Sequence, residues 1–354
     1  MAEAARRALH FVFKVGDRKK TAYFYRQVLG MKFLRHEEFE KGCEATCNGP
    51  YDGTWSKSMV GYGPEDDHFV VELTYNYGIG SYAMGNDFHG ITIQSKEVFE
   101  NASTMAAPDS VVNRSGAGKI TLRSPDGHLF HVVDAPSPGA DPVVSVAIAA
   151  SKIQNSIEFW HGILDLKSNK REGYWVGNGI GGGGIIRLTL GISCLSFSTI
   201  SCDDFPIPIA PHLSLPVFAK EEGRVTLGFA ENMCKLELVD VGGPVDHAKA
   251  FGRIAFSCPT KELADIQTKV EEKAKSLGGS VKTPLLSLDT PGKATVHVVI
   301  LSDPDDHEIC FVGDEAFREL SSVDLKADQL LEAGMVADKS ADWYAKKGKD
   351  KPAA

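Results

Sequence analysis

The sequence predicts an α+β fold assembled from four copies of one strand–helix–strands unit. Three observations carry this reading. Residues Leu9 to Phe33 open with strand-like alternation and close with helical spacing. Phe159 to Lys167 (FWHGILDLK) echoes Phe24 to Lys32 (FYRQVLGMK) 135 residues earlier. The turn Asp303-Pro304-Asp305-Asp306 echoes Ser124-Pro125-Asp126-Gly127.

In the first unit His10, Val12 and Lys14 share one strand face, and Phe11, Phe13 and Val15 the other. Gly16-Asp17 is a turn, with Asp17 a helix N-cap. Tyr23, Phe24, Val28 and Met31 recur at helical spacing, and Gly30 stops the helix. A polar loop follows, from Glu37 to Thr54. Strands are predicted at Trp55–Tyr62 and His68–Tyr75, around a turn at residues 63–67.

The second unit has a strand at Phe88–Gln94, a helix at Lys96–Met105 and a hairpin of Lys119–Arg123 with His128–Val133. Ala135 to Gly139 reads as a linker. A third unit begins at Val143. A fourth runs from Gly252 through a helix at Lys261–Leu277 to a hairpin of Val296–Leu301 with Glu308–Val312. Glu237 echoes Glu72 at an offset of 165, not 135, so about 30 residues are extra in the third unit. The Gly- and Pro-rich stretch 177–218 is assigned to that insertion, read as a segment that does not pack, with a lid as the other reading. The expected division is 1–137, 141–315 and a polar helical tail, 316–354, solvated and frayed.

Composition bounds the function. With 354 residues, 43% hydrophobic and 24% charged, the chain can bury a large core. Its net charge of −9 argues against nucleic acid and anionic membranes as partners. The seven cysteines form no CxxC, which fits reduced thiols and an intracellular place, cytoplasmic or mitochondrial. No run reaches the roughly 18 apolar residues of a membrane span. The start, MAEAARRALHF, has no long apolar region, so no secretory signal is expected; Arg6 and Arg7 faintly suggest a mitochondrial presequence.

A strand, an FYxxVLGM helix, an ELTxN strand and an xPDGH hairpin together resemble the glyoxalase I side of the vicinal-oxygen-chelate superfamily. The resemblance covers residues 8 to about 345, apart from the insertion. It implies four βαβββ modules forming two paired cup-shaped sheets, each pair offering four positions for a divalent metal. His10 and Glu72 match the first module's positions. His131 stands where the family has its metal-binding glutamate and general base. Phe88, not His89, falls on the second module's position; His89 shares the face of Ile91 and Ile93, unless a one-residue bulge reverses it. Ser145, Glu237, Arg253 and Cys310 fill the second half, where Glu237 and Arg253 read as an ion pair.

Two pairings are open. If modules one and two face each other, His10, Glu72 and His131 converge on one divalent metal, Zn, Ni, Mn or Fe. If modules one and four pair, His10 and Glu72 face Arg253 and Cys310, and a salt bridge replaces the metal. Lys14 takes the place of a family arginine that contacts the glutathione carboxylate, and Asn76 matches a family asparagine in that pocket. The implied ligand is a small molecule, a glutathione adduct. The functional expectation is a glyoxalase I-like protein with a degenerate metal site, a lactoylglutathione lyase-like enzyme where active. The alternatives are a metal-free member that binds a ligand or a protein partner, and an Fe(II) dioxygenase.

Overall fold

The structure, a computed structural model, describes residues 6–40, 53–116, 118–168, 223–288 and 294–354. The insertion assigned to 177–218 lies outside them. The described residues form four modules of four strands each. Module one holds β1 (Arg7–Val15), β2 (Lys32–Phe39), β3 (Trp55–Gly61) and β4 (Val70–Asn76). Module two holds β5 (Phe88–Gln94), β6 (Val111–Ser115), β7 (Lys119–Arg123) and β8 (Leu129–Val133). Module three holds β9 (Val143–Ala150), β10 (Lys167–Ser168), β11 (Arg224–Gly228) and β12 (Lys235–Asp240). Module four holds β13 (Arg253–Cys258), β14 (Ser280–Leu288), β15 (Val296–Ser302) and β16 (Glu308–Gly313).

Pairing decides what the cups contain. One eight-stranded sheet runs β14-β15-β16-β13-β1-β4-β3-β2, and the other β10-β11-β12-β9-β5-β8-β7-β6. Modules one and four therefore share a sheet through antiparallel β1 and β13, and modules two and three through β5 and β9. Each sheet takes one module from either side of the Ala135–Gly139 linker.

The expected helix signals are in place. In module one α1 (Arg18–Tyr23) starts at Asp17, whose side chain accepts from the N–H groups of Lys19 and Lys20. It continues as a wider turn in which Leu29 N donates to Phe24 O at 3.0 Å, and Gly30 ends it at φ +68°. Module three repeats this after α3 (Ile153–Ile157), α2 (Lys96–Met105) being the helix of module two. There Leu164 N donates to Phe159 O at 3.1 Å, and Asp165 takes the left-handed position at φ +61°. The repeat seen in the sequence is thus a repeat of individual backbone bonds.

Both hairpin turns reach across to a neighbouring module. Asp126 accepts from Gly16 N and Thr21 Oγ1 in module one, and Asp305 from Ser151 N and Ser156 Oγ in module three. A continuous core draws on all four modules, with Phe13, Phe130, Trp160 and Phe256 each 2% exposed or less.

The tail is not frayed. After α4 (Leu263–Lys273) in module four come α5 (Asp314–Leu320), α6 (Ala327–Ala337) and α7 (Ser340–Ala345). Helix α6 packs on β2, burying Ala327 and Leu331. Arg18, buried, donates to Gly334 O and Asp338, and Arg26 pairs with Asp328 and Glu332. The chain end bonds to the loop after β4: Gly80 N donates to Pro352 O, and Ala354 N to Ser81 O. A polar composition hid this docking because much of it consists of ion pairs and backbone bonds with distant partners, beside the few apolar residues Ala327 and Leu331. No helix among the described residues is long and apolar enough to cross a membrane.

Candidate functional site

Strand β1 positions the first site residue as the alternation requires: buried and half-buried residues alternate along it, with His10, Val12 and Lys14 half-buried. β4 lies parallel beside it with Val12 against Glu72, so His10 and Glu72 come onto one cup face. His10 Nε2 stands 3.7 Å from Glu72 Oε2. The other ring nitrogen, Nδ1, lies 2.5 Å from Glu65 Oε1.

Glu65 is a residue that sequence reasoning missed, since it sits in a turn between strands with no periodicity to mark it. It is 1% exposed. Arg35 Nη2 donates to its Oε2 at 2.6 Å, and Arg7 to its backbone carbonyl. Burial alone would push the Glu65 carboxyl up, but His10, Arg35 and Arg7 together hold it below its ordinary value. Arg7 also pairs with Asp314 of α5 at 3.0 Å. The tail helix thereby reaches the cup: Phe317 packs with Leu9, Ala255, Val296, Val298 and Val312 in an apolar cluster. Ala255 and Val312 share strand faces with Arg253 and Cys310.

Arg253 and Cys310 complete this cup. The Arg253 guanidinium donates twice to Glu308 Oε2, at 2.9 and 2.6 Å, and lies within electrostatic reach of Glu72 and Cys310. Burial pushes the Cys310 thiol up to about 11, against the pull of Arg253, so it stays a neutral thiol. A divalent cation does not fit here. A guanidinium that keeps its proton stands among the donors, leaving His10, Glu72 and the neutral thiol of Cys310 around it.

The other sheet holds the rest. His131 is on β8, in the sheet opposite His10 and Glu72, so the three candidates do not converge. Its Nδ1 lies 3.0 Å from Thr121 Oγ1, and its Nε2 3.0 Å from the carbonyl of His89. Burial lowers its pKa, aided by Lys119 and Arg224 and opposed by that carbonyl. Glu237 accepts from Ser145 Oγ at 2.5 Å and from Arg224 Nη1 at 3.1 Å. The expected Glu237–Arg253 ion pair is corrected: these residues belong to different sheets, and each glutamate here has a local arginine. Both oxygens of Glu237 and both nitrogens of His131 are engaged in hydrogen bonds within this cup.

Strand β5 also departs from simple alternation. Its register shifts between Phe88 and Gly90, and Gly90 sits at φ +126°. An added Cβ at Gly90 would meet the His131 ring at 2.7 Å, so the close approach requires glycine. The shift turns Phe88 inward onto Phe11 and Phe13, at 4.9 and 5.0 Å between ring centroids. Phe88 is thus partly buried against the core, packed on the side of Phe11 and Phe13. His89 is half-buried within electrostatic reach of Arg224 and Asp87.

The substrate-contact candidates do gather. Lys14 Nζ donates to Lys249 O at 3.1 Å and lies 3.1 Å from the centroid of the Phe251 ring. Asn76 Nδ2 donates to Tyr82 OH at 2.9 Å, and Lys14 Nζ lies 5.9 Å from that tyrosine's ring centroid. Asn76 Oδ1 is buried with no hydrogen-bond partner. Tyr75 and Tyr77 point away, to Asp338 and Glu38.

Comparison with known proteins places this architecture. Residues 7–132 match the profile of the Glyoxalase/Bleomycin resistance protein/Dioxygenase superfamily, and residues 210–320 that of the Glyoxalase domain-containing protein 4-like C-terminal domain. Glyoxalase domain-containing protein 4 of Mus musculus is 49% identical over 348 residues, covering 98% of this chain and 99% of its own. Glyoxalase 1 of Caenorhabditis elegans is 40% identical over 337 residues, covering 95% and 99%. Glyoxalase I from Zea mays shares the fold at a TM-score of 0.62 and 21% identity, over 90% of this chain and 96% of its own. With an α+β body of paired modules and full-length relatives of this identity, the chain belongs to the glyoxalase domain-containing protein 4 family of the glyoxalase, bleomycin resistance protein and dioxygenase superfamily.

Proposed function

We propose that this protein is a glyoxalase I-like member with a degenerate metal site, handling a small glutathione-linked or carbonyl metabolite by binding it at the Lys14 and Asn76 end of the first cup. The observation that carries the reading is Arg253, fixed by Glu308 within reach of Glu72 where a cation would stand. A guanidinium held there takes the place of a divalent ion and repels one. The cationic Lys14, the phenol of Tyr82 and the unpartnered acceptor Asn76 Oδ1 suit a ligand bearing a carboxylate and an amide. Relatives named lactoylglutathione lyase, such as one of Arabidopsis thaliana 31% identical over 46% of this chain, support the ligand class.

Calorimetric titration with S-lactoylglutathione tests this, beside an assay for its formation from methylglyoxal and glutathione with added Zn, Ni, Mn or Fe. The expected result is saturable binding, weakened at least about tenfold by Lys14→Ala and by Asn76→Ala, and no metal-dependent turnover. Metal-dependent turnover that vanishes in His10→Ala would overturn the degenerate-site reading. Binding that ignores both substitutions would overturn the pocket.

A further inference from the structure

Outside the cups, one cluster among the described residues has the chemistry of a metal site. Asp87, His247 and His307 each offer a donor atom, and the three atoms lie within 4.8 Å of one another. We propose that they form a Zn(II)-class site that staples the two sheets together.

The three residues come from different parts of the fold. Asp87 immediately precedes β5 in one sheet, and His307 immediately precedes β16 in the other. His247 lies in the segment joining module three to module four. That segment is laced to module two: Asn86 N donates to Asp246 O at 2.8 Å, and Asp246 N to Asn86 Oδ1 at 2.6 Å. The Asp87 backbone is tied to the end of β9, where Ala149 N donates to Asp87 O at 2.8 Å. The cluster therefore sits where three modules meet.

Its hydrogen bonds orient the rings as metal ligands are oriented. His307 Nε2 lies 2.8 Å from Ala149 O, and His247 Nε2 2.7 Å from Asp305 O. A carbonyl only accepts, so each Nε2 carries hydrogen; His307 Nδ1 is left for an ion, while His247 Nδ1 presents a lone pair only after giving up the hydrogen it holds toward Asp87. A backbone carbonyl on the far nitrogen is the usual partner of a metal-bound histidine, fixing both tautomer and ring plane. His247 Nδ1 already faces Asp87 Oδ2 at 3.0 Å. The two rings meet edge to face, centroids 4.9 Å apart.

Asp87 and His307 are each 7% exposed, so the carboxylate and one imidazole are held in a poorly solvated place. Two more histidines lie within electrostatic reach of Asp87: His128, both of whose ring nitrogens are buried without a hydrogen-bond partner, and His89, whose Nε2 is likewise unpartnered. Zn–N bonds of about 2.1 Å put tetrahedral donors roughly 3.4 Å apart, so the cluster needs to tighten by about an ångström. Two imidazoles and one carboxylate suit Zn(II) and leave a coordination position open. Binding releases the proton that His247 Nδ1 shares with Asp87.

The test is metal content and Co(II) absorption of the full chain, loaded with Zn(II) or Co(II) and dialysed. The variants are His247→Gln, Asp87→Asn, and His10→Ala as a control in the first cup. The expected result is one equivalent of Zn(II) in the parent and in His10→Ala. A weakening of at least about tenfold and loss of the Co(II) visible bands are expected in His247→Gln and Asp87→Asn. His247 is the most exposed of the three, and a far-ultraviolet spectrum like the parent's establishes that its variant folds. No retained Zn(II) in the parent would overturn the proposal, and so would metal retained equally in a folded His247→Gln.

Discussion

Gly16 and Asp126, from different modules, share a hydrogen bond of 2.7 Å, Gly16 N donating to Asp126 Oδ1. Asp126 is also held by Thr21 Oγ1, yet burial pushes its carboxyl up to about 6 from 3.8. The sign follows: the charged form is disfavoured in the fold, so stability falls as pH rises from 3.8 through 6. Asp126→Asn keeps an acceptor for Gly16 N and removes the titration. It is expected to flatten this part of the pH dependence and to exceed the parent's stability near pH 8, by about 3 kcal/mol at most. Urea unfolding at two pH values measures it; lower stability near pH 8 would contradict the burial account.

His128 stacks on Phe13 at 3.9 Å, and burial lowers its pKa to about 3 from 6.5. The fold holds it neutral, whereas the unfolded chain takes up a proton below 6.5. Stability is therefore lost as pH falls from 6.5 toward 3, at up to about 1.4 kcal/mol per pH unit. His128→Phe keeps an aromatic ring there and removes the proton sink. Thermal scans between pH 7 and 4 are expected to show a steep fall in the parent and a shallower one in the variant.

Arg253 and Glu308 are an ion pair with both side chains largely buried, at 21% and 25% exposure. Arg253→Met leaves Glu308 without its partner and Glu72 without a nearby positive charge. The expected loss is about 2–3 kcal/mol in urea unfolding, and the double variant Arg253→Met, Glu308→Gln recovers part of it. No recovery in the double variant would mean that the pair is not the source.

The tail is pinned by Asp338, which accepts from Arg18 Nη2 at 3.2 Å and from Tyr75 OH at 2.6 Å. Asp338→Ala leaves the buried Arg18 short of one carboxylate, with Glu38 remaining. A loss of about 1–3 kcal/mol is expected. Proteolysis should cut the last 17 residues, 338–354, faster in the variant; equal rates would show that other contacts hold the tail.

Much of the fold was legible because strand parity is a local property. The face shared by His10, Val12 and Lys14 followed from alternation alone, whereas the meeting of His10 with Glu72 was implied by the family resemblance and rests on the β1–β4 register. Which modules share a sheet was not legible, because β1 and β13 meet through contacts that no local pattern encodes. The inward turn of Phe88 depends on a single bulge before Gly90, which reverses faces without changing the sequence pattern. Glu65 and the Asp87, His247 and His307 cluster lie in turns, where neither period applies. The tail's docking was hidden because Arg18 and Asp338 look like ordinary surface charges until they are seen together.

The interlocked sheets have a consequence for biosynthesis. When the first half of the chain has been made, β1 and β5 each present an open edge whose partners, β13 and β9, are still to come. The nascent protein must keep two adhesive edges from pairing with other chains until residues 143–150 and 253–258 arrive. Closing the sheet of modules one and four requires β1 to meet β13 across most of the chain, a long-range contact that slows folding relative to local pairing. Cleavage within the 135–139 linker would not yield two working halves, since each half carries only one side of either cup.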